Sequence, residues 1–349
     1  MEQKLNIKQT AFNNQKYFKA QTCAIIKRCN KFSKLYLEIG GKLLFDGHAS
    51  RVLPGYDGKN KIKLLKKLKN QIEVLYCINS KELQKGKTWS DTGLTLDKLA
   101  IKETKELKKN GIKVLGIVAT RFNGEIKAIQ LEKKLKKLKT NLFFTKEIKG
   151  YPNNLKQVFG KTGFECQNRI NTTRKIIIIT GAGAGSGKMF TCMSQIYQDY
   201  KLGINSGYAK WETFPIWNLP ITHPVNIAYE AATADLGDKN MLDERHKKEY
   251  GVLSVNYNRD IENFDLLKKI INEFVPKENY MHSYKSPTDM GINYAKEGIV
   301  NDLIVQEASK QEITRRYYFF CKRAKEGAVN KNTVKRMKEL LKKANIKLN

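Results

Sequence analysis

No apolar run in this 349-residue chain approaches the roughly 18 to 20 residues that a helix needs to cross a bilayer, which excludes a helical membrane span. The first ten residues, Met1 to Thr10, are polar and mixed in charge and no apolar segment follows them, so export is not expected. Cysteine is sparse and unpaired in sequence: Cys23, Cys29, Cys77, Cys166, Cys192 and Cys321 include no C-x-x-C. That excludes a zinc or disulfide framework and fits reduced thiols in a cytoplasmic protein. Neither H-E-x-x-H nor G-x-S-x-G occurs, so zinc hydrolysis and serine-triad chemistry have no support and no metal site is expected. Internal repeats and low-complexity linkers are missing as well.

What is present in excess is lysine. The net charge is +31, yet only 11 of the 65 basic residues are Arg, the side chain best suited to bidentate phosphate and base recognition. The charge is also uneven: +25 over residues 1–200, −3 over 201–310 and +9 over 311–349. A Lys/Ile/Asn excess of this kind is read first as solvated helix faces, with nucleic-acid binding expected to be weak and non-specific. At 41 % hydrophobic residues the chain is globular, and its length suggests two domains.

Short β-branched runs alternate with segments of helical period, the pattern of a mainly parallel α/β sheet. The runs are Leu35–Ile39, Glu73–Ile78, Lys113–Ala119, Asn141–Thr145, Lys175–Thr180 and Val252–Tyr257. Helices are predicted over Gln15–Phe32, Lys59–Asn70, Thr95–Lys109, Ile126–Leu138, Lys188–Lys201, Ile261–Glu273, Ser309–Glu326 and Thr333–Ala344. The polar stretch Gly150–Arg174 divides the runs, giving two Rossmann-like, P-loop-like sheet units over residues 1–160 and 161–349. Ser309 and Glu312 read as a capping box, Gly327 as the residue closing that helix, and Asn301-Asp302 as a hairpin turn.

The strongest chemical signal is the strand Ile176–Thr180 followed by Gly181-Ala182-Gly183-Ala184-Gly185-Ser186-Gly187-Lys188 and a helix. A buried strand, a glycine loop and a helix N-terminus aim backbone N–H groups at an anion, and Lys188 adds a point charge. Gly181, Gly183, Gly185, Ser186, Gly187 and Lys188 are therefore the candidate phosphate cradle for a nucleotide or phosphorylated small molecule, with a nucleoside triphosphate and Mg²⁺ as the cofactor to consider. The P-loop pattern G-x-x-x-x-G-K-[ST] is matched only at Gly187-Lys188, because Ala182 stands at the first glycine and Met189 at the metal-binding hydroxyl. Ser186 and Thr191 are the nearest replacement hydroxyls.

A second cluster, Gly40 to Gly55, follows the first strand run, where ligands of open α/β sheets bind. His48 is its acid/base candidate and Arg51 its anion clamp, expected across a crevice from the glycine loop. The segment Trp211–Pro224 holds two of the three Trp and three of the seven Pro, and suits a substrate wall or a packed loop. Asp260 and Arg259 close the Val252–Tyr257 run, Asp260 being a catalytic or metal candidate and Arg259 a phosphate one; helix capping accounts for both equally.

Several strings are specific: Leu35-Tyr36-Leu37-Glu38 through His48-Ala49-Ser50-Arg51-Val52-Leu53-Pro54-Gly55, Gly185-Ser186-Gly187-Lys188-Met189, Glu212-Thr213-Phe214-Pro215-Ile216-Trp217-Asn218-Leu219-Pro220, Tyr229-Glu230-Ala231-Ala232-Thr233-Ala234-Asp235-Leu236 and Ser286-Pro287-Thr288-Asp289-Met290-Gly291. Together they resemble the bacterial proteins grouped as domain-of-unknown-function family 1846, from about Lys16 to Arg336. The resemblance implies no particular activity. It implies that methionine after the loop lysine is usual, that prolines usually stand where this chain has Ala182 and Ala184, and that a further C-terminal domain usually follows. Losing those prolines should loosen the loop.

The sequence thus favours a cytoplasmic α/β protein that binds a phosphorylated small molecule, with phosphoryl or nucleotidyl transfer as its chemistry. A non-catalytic ligand-binding or assembly protein is the alternative, and an oligomer is compatible with either.

Overall fold

A computed structural model describes residues 10–89 and 92–348, so the N-terminal segment read above lies, except for Thr10, outside the described residues. The nine strands are β1 (Lys34–Ile39), β2 (Ile72–Asn79), β3 (Val114–Phe122), β4 (Asn141–Lys146), β5 (Ile176–Gly181), β6 (Ser206–Trp211), β7 (Asn240–Leu242), β8 (Val255–Tyr257) and β9 (Gly291–Ile292). Seven of them form one parallel sheet in the order β4-β3-β2-β5-β1-β6-β9, and β7 and β8 pair antiparallel apart from it. The α/β reading holds.

Parallel neighbours need long crossovers, and the segments of helical period supply them. Helices span Asn14–Cys29, Asn60–Lys67, Leu96–Lys109, Ile126–Lys137, Lys188–Tyr200, Asn258–Phe274, Asp302–Lys325 and Lys331–Lys343, most ending within a few residues of expectation. The strands on either side of residue 160 do not form separate sheets. β5 lies between β1 and β2, and β6 extends the sheet from β1. Ile176 to Thr180 are all buried, as a strand flanked on both edges and covered on both faces requires.

One face of the sheet is unusually polar near β1 and β6. Their register pairs Lys34 with Ser206, Tyr36 with Tyr208 and Glu38 with Lys210, and residues paired in this way share a face. Asp199, near the end of the helix Lys188–Tyr200, accepts hydrogen bonds from Tyr36 Oη at 2.9 Å, Ser206 Oγ at 2.7 Å and Arg169 Nε at 3.2 Å, and pairs with Lys34 at 3.2 Å. This buried carboxylate anchors the far end of the helix whose first turn carries the glycine loop.

Three local expectations are corrected. The Asn301-Asp302 hairpin is instead a helix start: the Asn301 side chain accepts from Ile304 N, so Leu303 to Val305 continue into Asp302–Lys325. Ser309 is therefore inside that helix, its Oγ donating to Val305 O, while the carboxylate of Glu312 is held by arginines; the capping box is found at Ser286 and Asp289. The run from Val252 pairs only from Val255 onward, leaving Val252 and Leu253 exposed. Gly327 follows the helix with φ +70°, as expected. The basic C-terminal helix packs on the body, burying Met337, Leu340 and Leu341, and Arg336 pairs with Glu230 at 3.2 Å.

Candidate functional site

The carboxyl ends of the parallel strands share one edge, and the segments singled out above leave it side by side. The glycine loop follows β5, the Gly40–Arg51 segment follows the adjacent β1, and Glu212 follows β6.

Within the loop, Gly183, Gly185 and Gly187 have φ of +82°, +74° and +85°. This alternation turns successive N–H groups toward one side, and Gly187 begins the helix Lys188–Tyr200 with no side-chain cap. A turn across Ala184 and Gly185 draws Ser186 N–H toward Gly183 O, and the backbone N–H groups of residues 184, 185 and 187–189 make no backbone hydrogen bond among the described residues. The carbonyls, by contrast, are tied back: Asn79 Nδ2 donates to Gly185 O at 3.1 Å and Thr120 Oγ1 to Ser186 O at 2.9 Å. A side chain at Gly181 would meet Cys77 O at 2.4 Å, at Gly183 the Trp89 ring at 2.2 Å and at Gly187 Thr120 Oγ1 at 2.6 Å; at Gly185 nothing lies within 4 Å. Three of the glycines thus have packing reasons, and Gly185 borders open space.

Lys188 Nζ folds back over the loop, donating to Gly183 O at 3.2 Å and lying 3.7 Å from Glu38 Oε1. The two replacement hydroxyls donate within the loop. Ser186 Oγ donates to Gly183 O and Thr191 Oγ1 to Gly187 O. Each hydroxyl keeps its oxygen lone pairs, and Met189 occupies the position where the P-loop pattern has its metal-binding Ser or Thr.

Glu38 leads from the loop to a second group of buried charges. Tyr208 Oη donates to Glu38 Oε2 at 2.9 Å, and Lys210 Nζ contacts Asp260 Oδ1 and Oδ2 at 2.6 and 2.5 Å and Glu212 Oε1 at 2.8 Å. Burial works against the Lys210 charge, but Asp260, Glu212 and Glu38 outweigh it and hold its pKa above the ordinary lysine value. Burial also raises Glu212; Lys210 opposes that and Asp260 adds to it, so its carboxyl is pushed up to about 8. The upward shift biases Glu212 toward its protonated form, the state from which a carboxyl can donate. Asp260 lies in the first turn of its helix as the partner of Lys210. Arg259 is likewise engaged, with Asp238 at 2.8 Å.

His48 and Arg51 lie in the short helix Gly47–Val52. His48 is packed between the rings of Phe214 and Tyr229, and its Nδ1 is 3.6 Å from Glu312 Oε1. Burial lowers its pKa, against the pull of Glu312, and so favours the neutral ring. Arg51 Nε donates to Glu312 Oε2 at 2.9 Å, and Arg51 makes no hydrogen bond to the glycine loop. In the Trp211–Pro224 segment, Trp211, Phe214 and Ile216 are core residues and Asn226 bonds the backbone of Ile216 and Pro220, so this stretch is packed loop, with Glu212 its contribution to the site. Residues Lys285 to Met290 form a helix cap in which Asp289 Oδ2 accepts from Lys285 N and Ser286 N.

Glu38 and Lys210 were not singled out as site residues. The available signal was their position near the ends of β1 and β6, and the two become register neighbours only once those strands are known to be adjacent.

A family model described as "Domain of unknown function DUF1846, N-terminal" matches residues 10–345. Among curated proteins, a UPF0371 protein of Clostridium tetani is 43 % identical over 336 residues, 96 % of this chain and 66 % of that protein. A UPF0371 protein of Clostridium botulinum strain Kyoto is 44 % identical with the same coverage. The chain thus spans about two-thirds of the length of these relatives.

Proposed function

Because this chain belongs to the family described as domain of unknown function DUF1846, N-terminal, whose description carries no activity, we propose its function from the site itself: it binds a nucleotide or other phosphorylated small molecule through the glycine loop 181–188. One observation carries this reading. Three left-handed glycines and a helix start without a side-chain cap leave the N–H groups of residues 184, 185 and 187–189 without backbone acceptors among the described residues, next to the open space at Gly185. Lys188 supplies the positive charge by releasing Gly183 O. Because Met189 stands where the P-loop pattern has its metal-binding hydroxyl, this binding is expected to be independent of Mg²⁺.

The chemistry beside the phosphate is acid–base. Glu212 is the proton-holding group and Lys210 fixes its position, with Asp260 as the charged partner of both; neutral His48 belongs to the neighbouring segment. Transfer of a phosphoryl group remains the reaction class to be tested on any ligand found. The second reading, a non-catalytic binding or assembly protein, is favoured by the packing contacts that alone demand glycine at 181, 183 and 187.

Thermal denaturation against ATP, GTP, a sugar phosphate and inorganic phosphate at millimolar concentration separates the two. A ligand at a hundredfold excess over Kd adds about 2.7 kcal/mol to the folded state. The melting temperature of the wild type should rise equally with Mg²⁺ and with chelator, and that of Lys188→Ala far less. No shift across the panel refutes the binding reading and leaves the assembly protein.

A further inference from the structure

The segment after β1 ends in an arrangement that the glycine loop does not use. The Glu312 side chain, fully buried on the helix Asp302–Lys325, accepts from Arg315 Nε and Nη2 at 2.6 and 2.8 Å, from Arg51 Nε at 2.9 Å and from Arg316 Nε at 3.0 Å. Burial opposes a charge on Glu312, but the hydrogen bonds from Arg315 and the neighbouring His48 and Arg316 outweigh it and hold its carboxyl far below the usual range. Arg315 supplies a bidentate pair to this carboxylate, and Arg51 and Arg316 add one donor to each of its oxygens.

Arg51 and Arg316 keep donors that Glu312 does not use. Each spends only Nε on it, so both terminal nitrogens of each are left without a protein acceptor among the described residues. Their side chains are 31 % and 18 % exposed, enough for a ligand from solvent to reach the guanidinium heads. Arg51 and Arg316 thus share the carboxylate of Glu312 with Arg315, in a half-buried position beside a histidine whose neutral form is favoured. The cost is visible at Arg316, which burial and the neighbouring Arg315 and Arg51 push below the ordinary arginine value despite Glu312. The unused donors of two neighbouring guanidinium forks match the several oxygens of a phosphoryl group.

We propose that Arg51 and Arg316, oriented by Glu312, form a second anion site that takes a phosphoryl group, separate from the glycine loop. It places one binding position beyond β1 and one beyond β5, neighbouring strands of the sheet. The site stands on its own contacts and does not depend on the loop binding phosphate.

The probe is inorganic pyrophosphate, titrated by calorimetry into the full chain at about 150 mM salt, where scattered surface lysines bind weakly. Lys188→Ala removes the loop lysine, and Arg51→Gln leaves Glu312 its bonds to Arg315 and Arg316. Pyrophosphate should still bind Lys188→Ala, and adding Arg51→Gln should weaken that residual binding at least tenfold. A readout that needs no variant is modification by phenylglyoxal, mapped by mass spectrometry on the wild type: pyrophosphate should protect Arg51 and Arg316. Binding lost with Lys188→Ala alone, with both arginines unprotected, overturns the second site and leaves the loop reading intact. Binding lost with Arg51→Gln alone supports the second site and counts against the loop. Absence of all binding and protection removes both.

Discussion

Glu212 is held where its neutral form is the stable one, beside Asp260 and with Lys210 as its only cation at contact distance among the described residues. A carboxyl whose folded pKa of about 8 exceeds its ordinary 4.5 adds stability that is complete below pH 4.5 and is lost as pH rises through 8. The wild type should therefore lose stability relative to Glu212→Gln from roughly pH 5 to 8, by at most about 1.4 kcal/mol per pH unit. Urea unfolding of both proteins at each pH measures this; parallel stability curves would mean that Glu212 is ionised in the fold. The sequence shows why Glu212 attracts notice, since it stands among Trp and Pro residues. It hides Lys210, one among many lysines, because what distinguishes that lysine is burial opposite Glu38 across β1 and β6.

The glycine loop makes a sharper test as an element than any of its residues does alone. Gly187→Ala faces both a left-handed φ and Thr120 Oγ1 at 2.6 Å, whereas Gly185→Ala meets only the backbone cost. The latter is about 1 to 2 kcal/mol, and crowding should add roughly 1 to 3 kcal/mol at Gly187. If the apex faces phosphate, Gly185→Ala should nevertheless lose the ligand-induced rise in melting temperature while remaining folded. An undiminished rise would show that the ligand sits elsewhere. This element was legible because a buried β-branched strand, alternating glycines and a helix all announce themselves locally. The helix start at Asn301 was misread because Asn-Asp is equally good as a turn and as a cap; what decides is that residues 299–301 lie against the segment Ala11–Phe12, a contact made across the chain. For the same reason the side chain of Glu312, spaced correctly for a capping box, serves the arginines instead.

At the scale of the whole molecule, fold class was legible and strand order was not. The β-branched buried runs report that they are strands while Ser206–Trp211 does not, and nothing within Ile176–Thr180 says that it enters between β1 and β2, an insertion that brings His48, Arg51 and the glycine loop to one edge. The molecule-wide charge of +31 is carried mostly by lysine, so DNA or RNA should bind weakly, without sequence preference, and release steeply as salt rises. Submicromolar binding with a sequence preference at about 150 mM salt, read by fluorescence anisotropy, would contradict that. No helix among the described residues is long and apolar enough to cross a membrane. The central claim is that the loop amides meet a phosphate, and glycine-selective ¹⁵N labelling observes them directly. On titration with a phosphate-bearing ligand that raises the melting temperature, the amide signals of Gly185 and Gly187 should move saturably while those of Gly203 and Gly327 stay fixed, and Lys188→Ala should suppress the movement. Loop signals that stay still at millimolar ligand, or that move no more than those of Gly203 and Gly327, would contradict it.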